Sequence, residues 1–106
     1  MREAQYQAKL IKKIRFMLPG CVILKNDSSY MPGVPDILIL FHSRWAMLEI
    51  KLSSDAYQQP NQDYYVHLLD EMSFASFINP QNEEEVLYDL QLSFGFDGST
   101  CVSQSQ

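Results

Sequence analysis

Three polar side chains near the middle of the chain are spaced for metal-assisted hydrolysis. Asp36 heads an apolar run, Ile37-Leu38-Ile39-Leu40-Phe41, and Glu49-Ile50-Lys51 closes a second run that starts at Trp45. Between them His42-Ser43-Arg44 forms a polar link, the pattern of a β-hairpin. Side chains alternate along a strand, so Glu49 and Lys51 project from one face and Ile50 from the other. Asp36 joins Glu49 and Lys51 in two registers. Opposite Glu49 it leaves a two-residue loop, His42-Ser43, and opposite Lys51 a four-residue loop, His42 to Trp45. The longer loop is favoured, because His-Ser has neither the Gly nor the Asn that a two-residue turn prefers. A slip by one residue would send Asp36 to the opposite face.

Two carboxylates and an ammonium at a strand end suit phosphodiester hydrolysis. Hard oxygen ligands hold Mg²⁺ or Mn²⁺, with several waters retained. Such an ion lowers the pKa of a bound water and screens charge growing on phosphorus. A lysine on the same face can orient or deprotonate that water. The bland alternative is an edge hairpin with a surface Glu and Lys.

Pro35-Asp36, followed after twelve residues by Glu49-Ile50-Lys51, resembles the PD-(D/E)XK nuclease superfamily. The lead-in Gly33-Val34-Pro35-Asp36 is similar to its virus-type replication-repair nuclease branch (VRR-NUC), related to Holliday junction resolvases. The resemblance implies metal ligation by Asp36, Glu49 and the backbone carbonyl of Ile50, and Lys51 as the residue serving the attacking water. It also offers Glu3, on the first helix, as a further ligand, and Gln62, on the second helix, as a group orienting the phosphate or the water. Glu3 reads equally as a favourable charge in a helix's first turn, and Gln62 as a surface amide.

Composition is consistent with a small folded unit. The chain has 106 residues, 46% of them hydrophobic, and a net charge of −5. The charge is unevenly placed. Residues 1–51 hold all eight Lys and Arg and four acids, a balance of +4, whereas residues 52–106 hold nine acids and no Lys or Arg. A basic first half beside a metal site is therefore compatible with nucleic acid despite the acidic total. The acidic half could dock a basic partner. Cys21 and Cys101 lie far apart and make neither a disulfide framework nor a zinc site. His42 and His67 have no Cys or His partner at metal-ligand spacing. No run approaches a membrane span and no signal peptide opens the chain, so a reduced cytoplasmic setting is expected, with DNA association and a phage-encoded origin as extensions of the resemblance.

The elements that must position these groups follow from periodicity. Leu10, Ile11, Ile14, Met17 and Leu18 predict a helix over 2–18, ended by Pro19-Gly20, with Glu3 on its core-facing side. That helix carries Arg2, Lys9, Lys12, Lys13 and Arg15, either as a solvated face or as phosphate contacts. Cys21 to Lys25 reads as a strand and Asn26 to Pro32 as a loop near the site. In and beside that loop Lys25, Ser28, Ser29 and Tyr30 are candidates for phosphate contact. Pro60 starts a second helix to Met72 with the stripe Tyr65, Leu68, Leu69 and Met72. Ser73 to Ile78 reads as a last strand, parallel to the one before it. Asn82 and Glu85 form a capping-box-like start for a last helix, whose Glu83-Glu84-Glu85 suits the helix dipole.

The expected fold is α/β, a small mixed sheet of about four strands flanked by helices in the order α-β-β-β-α-β-α, a restriction-endonuclease-like core. One domain is expected over 1–94, with a flexible tail over 95–106. By resemblance, the expected function is a Mg²⁺-dependent endonuclease acting on branched DNA as a homodimer. The competing expectation is a nucleic-acid-binding or protein-interaction module that keeps the fold without turnover.

Overall fold

The computed structural model describes residues 2–53 and 60–96. Seven elements follow in the expected order: α1 (Glu3–Met17), β1 (Val22–Lys25), β2 (Ile37–Phe41), β3 (Arg44–Ile50), α2 (Pro60–Met72), β4 (Phe74–Ile78) and α3 (Glu83–Ser93). The sheet order is β1-β2-β3-β4; the first two pairs are antiparallel and β3 pairs with β4 in parallel.

Register divides the sheet into two unlike faces. Ile23, Ile39 and Ala46 are cross-strand partners on one face, and Val22, Leu40 and Trp45 on the other. The first face is the core. There Ile37, Ile39, Phe41, Ala46, Leu48, Ile50 and Ile78 cluster with Leu10 and Ile14 of α1 and with Val86, Leu87 and Leu90 of α3. Tyr6, Leu10, Ile14 and Leu18 form the buried stripe of α1, spaced for one helical face. Glu3 was expected on that side, but it is exposed, one turn before the stripe begins at Tyr6. α2 lies over β4 and the adjoining part of β3. It rests on Val66, which is buried and was not part of the expected stripe, while Met72 is 64% exposed.

The hairpin between β2 and β3 adopts the tighter of the two registers. Phe41 pairs with Arg44, so the loop is His42-Ser43 and not the four residues favoured above. His42 supplies the positive φ, 57°, that the first position of such a turn demands. Histidine enters that region more readily than most residues, and its ring stacks on Phe41 at 4.0 Å between centroids.

The start of α3 also differs from expectation. Asn82 makes no side-chain cap. Its carboxamide oxygen instead accepts the Asn79 N–H at 2.8 Å, while Asn79 Oδ1 accepts the N–H groups of Gln81 and Asn82. The two asparagines close the β4–α3 turn on themselves. At the other end of α3, Phe94 and Phe96 pack about Phe41. The remainder of the expected tail, 97–106, and Cys101 with it, lie outside the described residues, as do 54–59 of the connection before α2.

Candidate active site

The site forms where β3 leaves β2. Pairing between them ends at Ile37–Leu48, whereas β3 stays beside β4 as far as Ile50–Ile78, and the Lys51 N–H then donates to the Ile78 carbonyl at 2.9 Å. Beyond Leu48 the β3 backbone needs a new partner on its β2 side. Asp36 provides it, since its Oδ2 accepts the Ile50 N–H at 2.8 Å. Extending the register by one residue sets Asp36 opposite Glu49. Ile50 itself is 1% exposed and belongs to the core, so only its backbone faces the acids.

The approach to Asp36 is held from two sides. Asn26 donates its amide to the Pro35 carbonyl at 2.9 Å, and its backbone N–H donates to the Asp36 carbonyl at 2.9 Å. Gly33, with φ of 93°, lies against Asn61 in the first turn of α2. In the sequence Asn26 reads only as the first residue of a loop, and nothing singles out Asn61. The available signals were a side-chain amide directly after β1 and a Pro-Gly pair before the Asp36 motif.

Glu49 is 2% exposed and makes an asymmetric set of contacts. Its Oε2 accepts Gln62 Nε2 at 2.8 Å and lies 3.5 Å from Lys51 Nζ. Lys51 Nζ in turn donates to Gln62 Oε1 at 3.0 Å. Both ends of the Gln62 amide are thereby engaged, and its orientation is fixed by the pair it bridges. The other carboxylate oxygen, Glu49 Oε1, is buried with no hydrogen-bond partner among the described residues.

Burial, reinforced by the charge on Asp36, pushes the Glu49 carboxyl up to about 7, with Lys51 working against the rise and Glu3 adding to it. Burial also raises Asp36, opposed by the Ile50 N–H and by Lys51. A buried and a half-buried acid, both with raised pKa and one with an orphaned oxygen, fit a bound cation. Among the described residues no set of three or more His, Cys, Asp or Glu side chains comes together. The side chains on offer are two carboxylates, the number from which Mg²⁺ is commonly held with its remaining waters.

The remaining expected contributors lie further out. Glu3 is exposed on α1 and reaches Glu49 through its charge. Lys25, Ser28, Ser29 and Tyr30 are all exposed. Asp27 orders their loop by accepting the Ser29 N–H at 2.9 Å. Arg2, Lys9, Lys12, Lys13 and Arg15 are exposed along α1.

No protein-family model matches the chain, and no curated protein does. Among solved structures, the chain is similar to one titled "VRR_NUC domain protein", with 17% identity over 92% of this chain and 94% of that one and a TM-score of 0.64. The likeness is one of fold, and it spans nearly the whole of both chains.

Proposed function

We propose that this chain is a metal-dependent, structure-selective DNA endonuclease that hydrolyses phosphodiester bonds in branched DNA such as Holliday junctions or flaps. The observation that carries the reading is Glu49 Oε1, a buried carboxylate oxygen without a partner beside a second acid. The fold likeness to a protein titled as a VRR_NUC domain supports it.

In this reading Asp36, Glu49 and the Ile50 carbonyl hold Mg²⁺, for which Mn²⁺ can substitute, and Glu3 adds negative potential or a ligand from the end of α1. When bound, the ion lowers the pKa of a coordinated water and offsets charge on the phosphate. Lys51, on the same face as Glu49, orients the attacking water or takes its proton. Gln62 holds Lys51 and Glu49 in one geometry. The strand end is a rigid platform for that work, with the Asp36 side chain tied to the backbone of Ile50.

The active form is a homodimer. Val22, Leu24, Leu38, Leu40, Trp45 and Met47 share the sheet face opposite the core. Val22 and Leu24 are 49% and 47% exposed on the edge strand. An apolar sheet face of this kind can pack against a two-fold copy of itself. It borders the site, since Met47 Sδ receives the Asn26 amide.

The alternative, a binding module without turnover, draws on the absence of a third acidic ligand among the described residues. A synthetic four-way junction, a flap and a plain duplex, each incubated with Mg²⁺, Mn²⁺ or EDTA, separate the two. Branched-substrate cleavage that needs the metal and is lost in Asp36→Ala and Lys51→Ala is the expected result. Binding without cleavage would establish the module instead, and cleavage surviving Asp36→Ala would mean that the site lies elsewhere.

A further inference from the structure

A groove of about 780 Å³ lies between α1 and the start of α3. Tyr6, Lys9, Lys12 and Phe16 line it on the helix, and Pro80 and Glu83 face them. Its volume is that of a small-molecule cleft, but its lining is unusual for one. Phe16 is 85% exposed, far more than a core aromatic tolerates. Glu83 is the one acid in the lining, and it is already engaged by Lys13 and by the Tyr6 hydroxyl at 2.8 Å. Those partners, with Lys9, hold the Glu83 carboxyl below its ordinary range against the effect of burial. Among the described residues neither Lys9 nor Lys12 is in an ion pair. The groove therefore presents an open aromatic ring on the same helix as two ammonium groups that are in no ion pair among the described residues.

Its position ties it to the acidic pair. Tyr6 lies one helical turn after Glu3, whose charge Glu49 senses. Pro80 lies two residues after Ile78, whose carbonyl takes the Lys51 N–H. From Tyr6 to Phe16 the helix rises about 15 Å, enough for two or three extended nucleotides.

We propose that this groove is a second nucleic-acid subsite that takes a short unpaired strand, stacking a base on Phe16 and placing phosphates on Lys9 and Lys12. An aromatic face can stack only a base that is not enclosed in a duplex, and cations beside it track the backbone. The proposal rests on the nuclease reading, because the strand it accepts is an unpaired arm leaving the cleavage site.

Fluorescence anisotropy with labelled eight-residue oligothymidylate, in EDTA so that no cleavage occurs, tests it on the full chain. Phe16→Ala weakens binding about tenfold and Phe16→Tyr leaves it within about twofold, as a stacking contact requires. Lys9→Gln with Lys12→Gln lowers the slope of log affinity against log salt by about 1.4. Both sites are solvent-facing, and circular dichroism checks that the variants fold. Equal binding by Phe16→Ala would overturn the proposal, as would an eight-base-pair duplex binding as tightly as the single strand. So would capture of an acidic, leucine-containing peptide in place of the oligonucleotide, which would make the groove a protein-docking site. Groove-dependent binding without cleavage by the unmodified chain would remove the nuclease reading and keep the subsite. Metal-dependent cleavage with groove variants that bind normally would do the reverse.

Discussion

The backbone of Gly33 lies directly against Asn61, joining the lead-in to Asp36 to the first turn of α2. A Cβ at position 33 would stand 2.7 Å from the Asn61 carbonyl carbon and 2.9 Å from its oxygen. Gly33 also has φ of 93°, where any side chain is strained. One contact thus joins the segment that leads to Asp36 with the residue that precedes Gln62 on α2. Gly33→Ala should cost about 2–4 kcal/mol, combining the backbone penalty with overpacking, and should lower cleavage beyond the loss of folded protein. Gly20 is the control. It has the same φ but nothing within 4 Å of a Cβ, so Gly20→Ala should cost about 1 kcal/mol. Urea unfolding of both variants measures the difference, and equal costs would deny the Gly33–Asn61 contact its role.

The acid pair should make the metal-free protein less stable as pH rises. Folded Glu49 keeps its proton to about pH 7, whereas its ordinary value is 4.5. Between those values the folded state binds more protons than the unfolded chain, so stability falls as pH rises through the window and the penalty is complete above about 7. Asp36, raised from 3.8, acts in the same direction. Asp27 and Glu83 are lowered, so their contributions are lost only on acidification below the ordinary carboxylate range. In EDTA the melting temperature should therefore be higher at pH 5.5 than at pH 8, and Glu49→Gln should flatten that dependence. On the proposed function Mg²⁺ should raise the melting temperature more at pH 8 than at pH 5.5, because a cation held by this pair favours its ionised form. An unaltered pH dependence in Glu49→Gln would show that the penalty belongs to other groups.

Much of this arrangement was legible in the residue order, and the failures have local causes. The alternation of Ile37 to Phe41 and of Trp45 to Ile50 gave the strands and their shared face. The parallel pairing of β3 with β4 followed from the helix between them. The hairpin register departs from expectation because turn preferences point to Gly and Asn, while His42 reaches positive φ with its ring stacked on Phe41. Glu3 stands seven residues before Leu10, a core-side spacing on a helix, but the buried stripe starts only at Tyr6. Asn82 looked like a helix cap, yet Asn79 drew its carboxamide into the preceding turn. The asymmetry of Glu49, one oxygen bonded and one orphaned, depends on where α2 carries Gln62 and has no counterpart in spacing along the chain.

Lys51 and Gln62 should separate by the size of their effects. Lys51→Met removes the group proposed to serve the water and should slow single-turnover cleavage by about 10²–10⁴-fold, with junction affinity nearly unchanged. Gln62→Ala leaves Lys51 in place but removes the amide that bridges it to Glu49. Loss of such a positioning contact should cost about 10–100-fold, with the apparent metal requirement shifted to higher Mg²⁺. Quenched-flow cleavage of a labelled junction across a Mg²⁺ titration resolves the two. A Gln62→Ala enzyme with unchanged rate and metal dependence would return Gln62 to the status of a structural amide.

The exposed β1 edge of the sheet makes the last prediction. Leu24 is 47% exposed on β1 and pairs across the sheet with Leu38, which in turn pairs with Met47. In a monomer a charge at position 24 would meet water at little cost, since surface substitutions rarely change stability by more than about 0.5 kcal/mol. In a two-fold dimer packed through this face the same charge is buried twice, close to its own copy, and the interface should fail. Leu24→Lys should therefore melt like the unmodified chain yet sediment as a monomer where that chain sediments as a dimer. It should also retain cleavage of a simple flap while losing paired cuts in a four-way junction, which need two sites held together. Sedimentation velocity over a hundredfold concentration range decides the matter. A dimer that survives Leu24→Lys would move the interface to another surface, and an unmodified chain that stays monomeric throughout would remove the dimer from the proposed function.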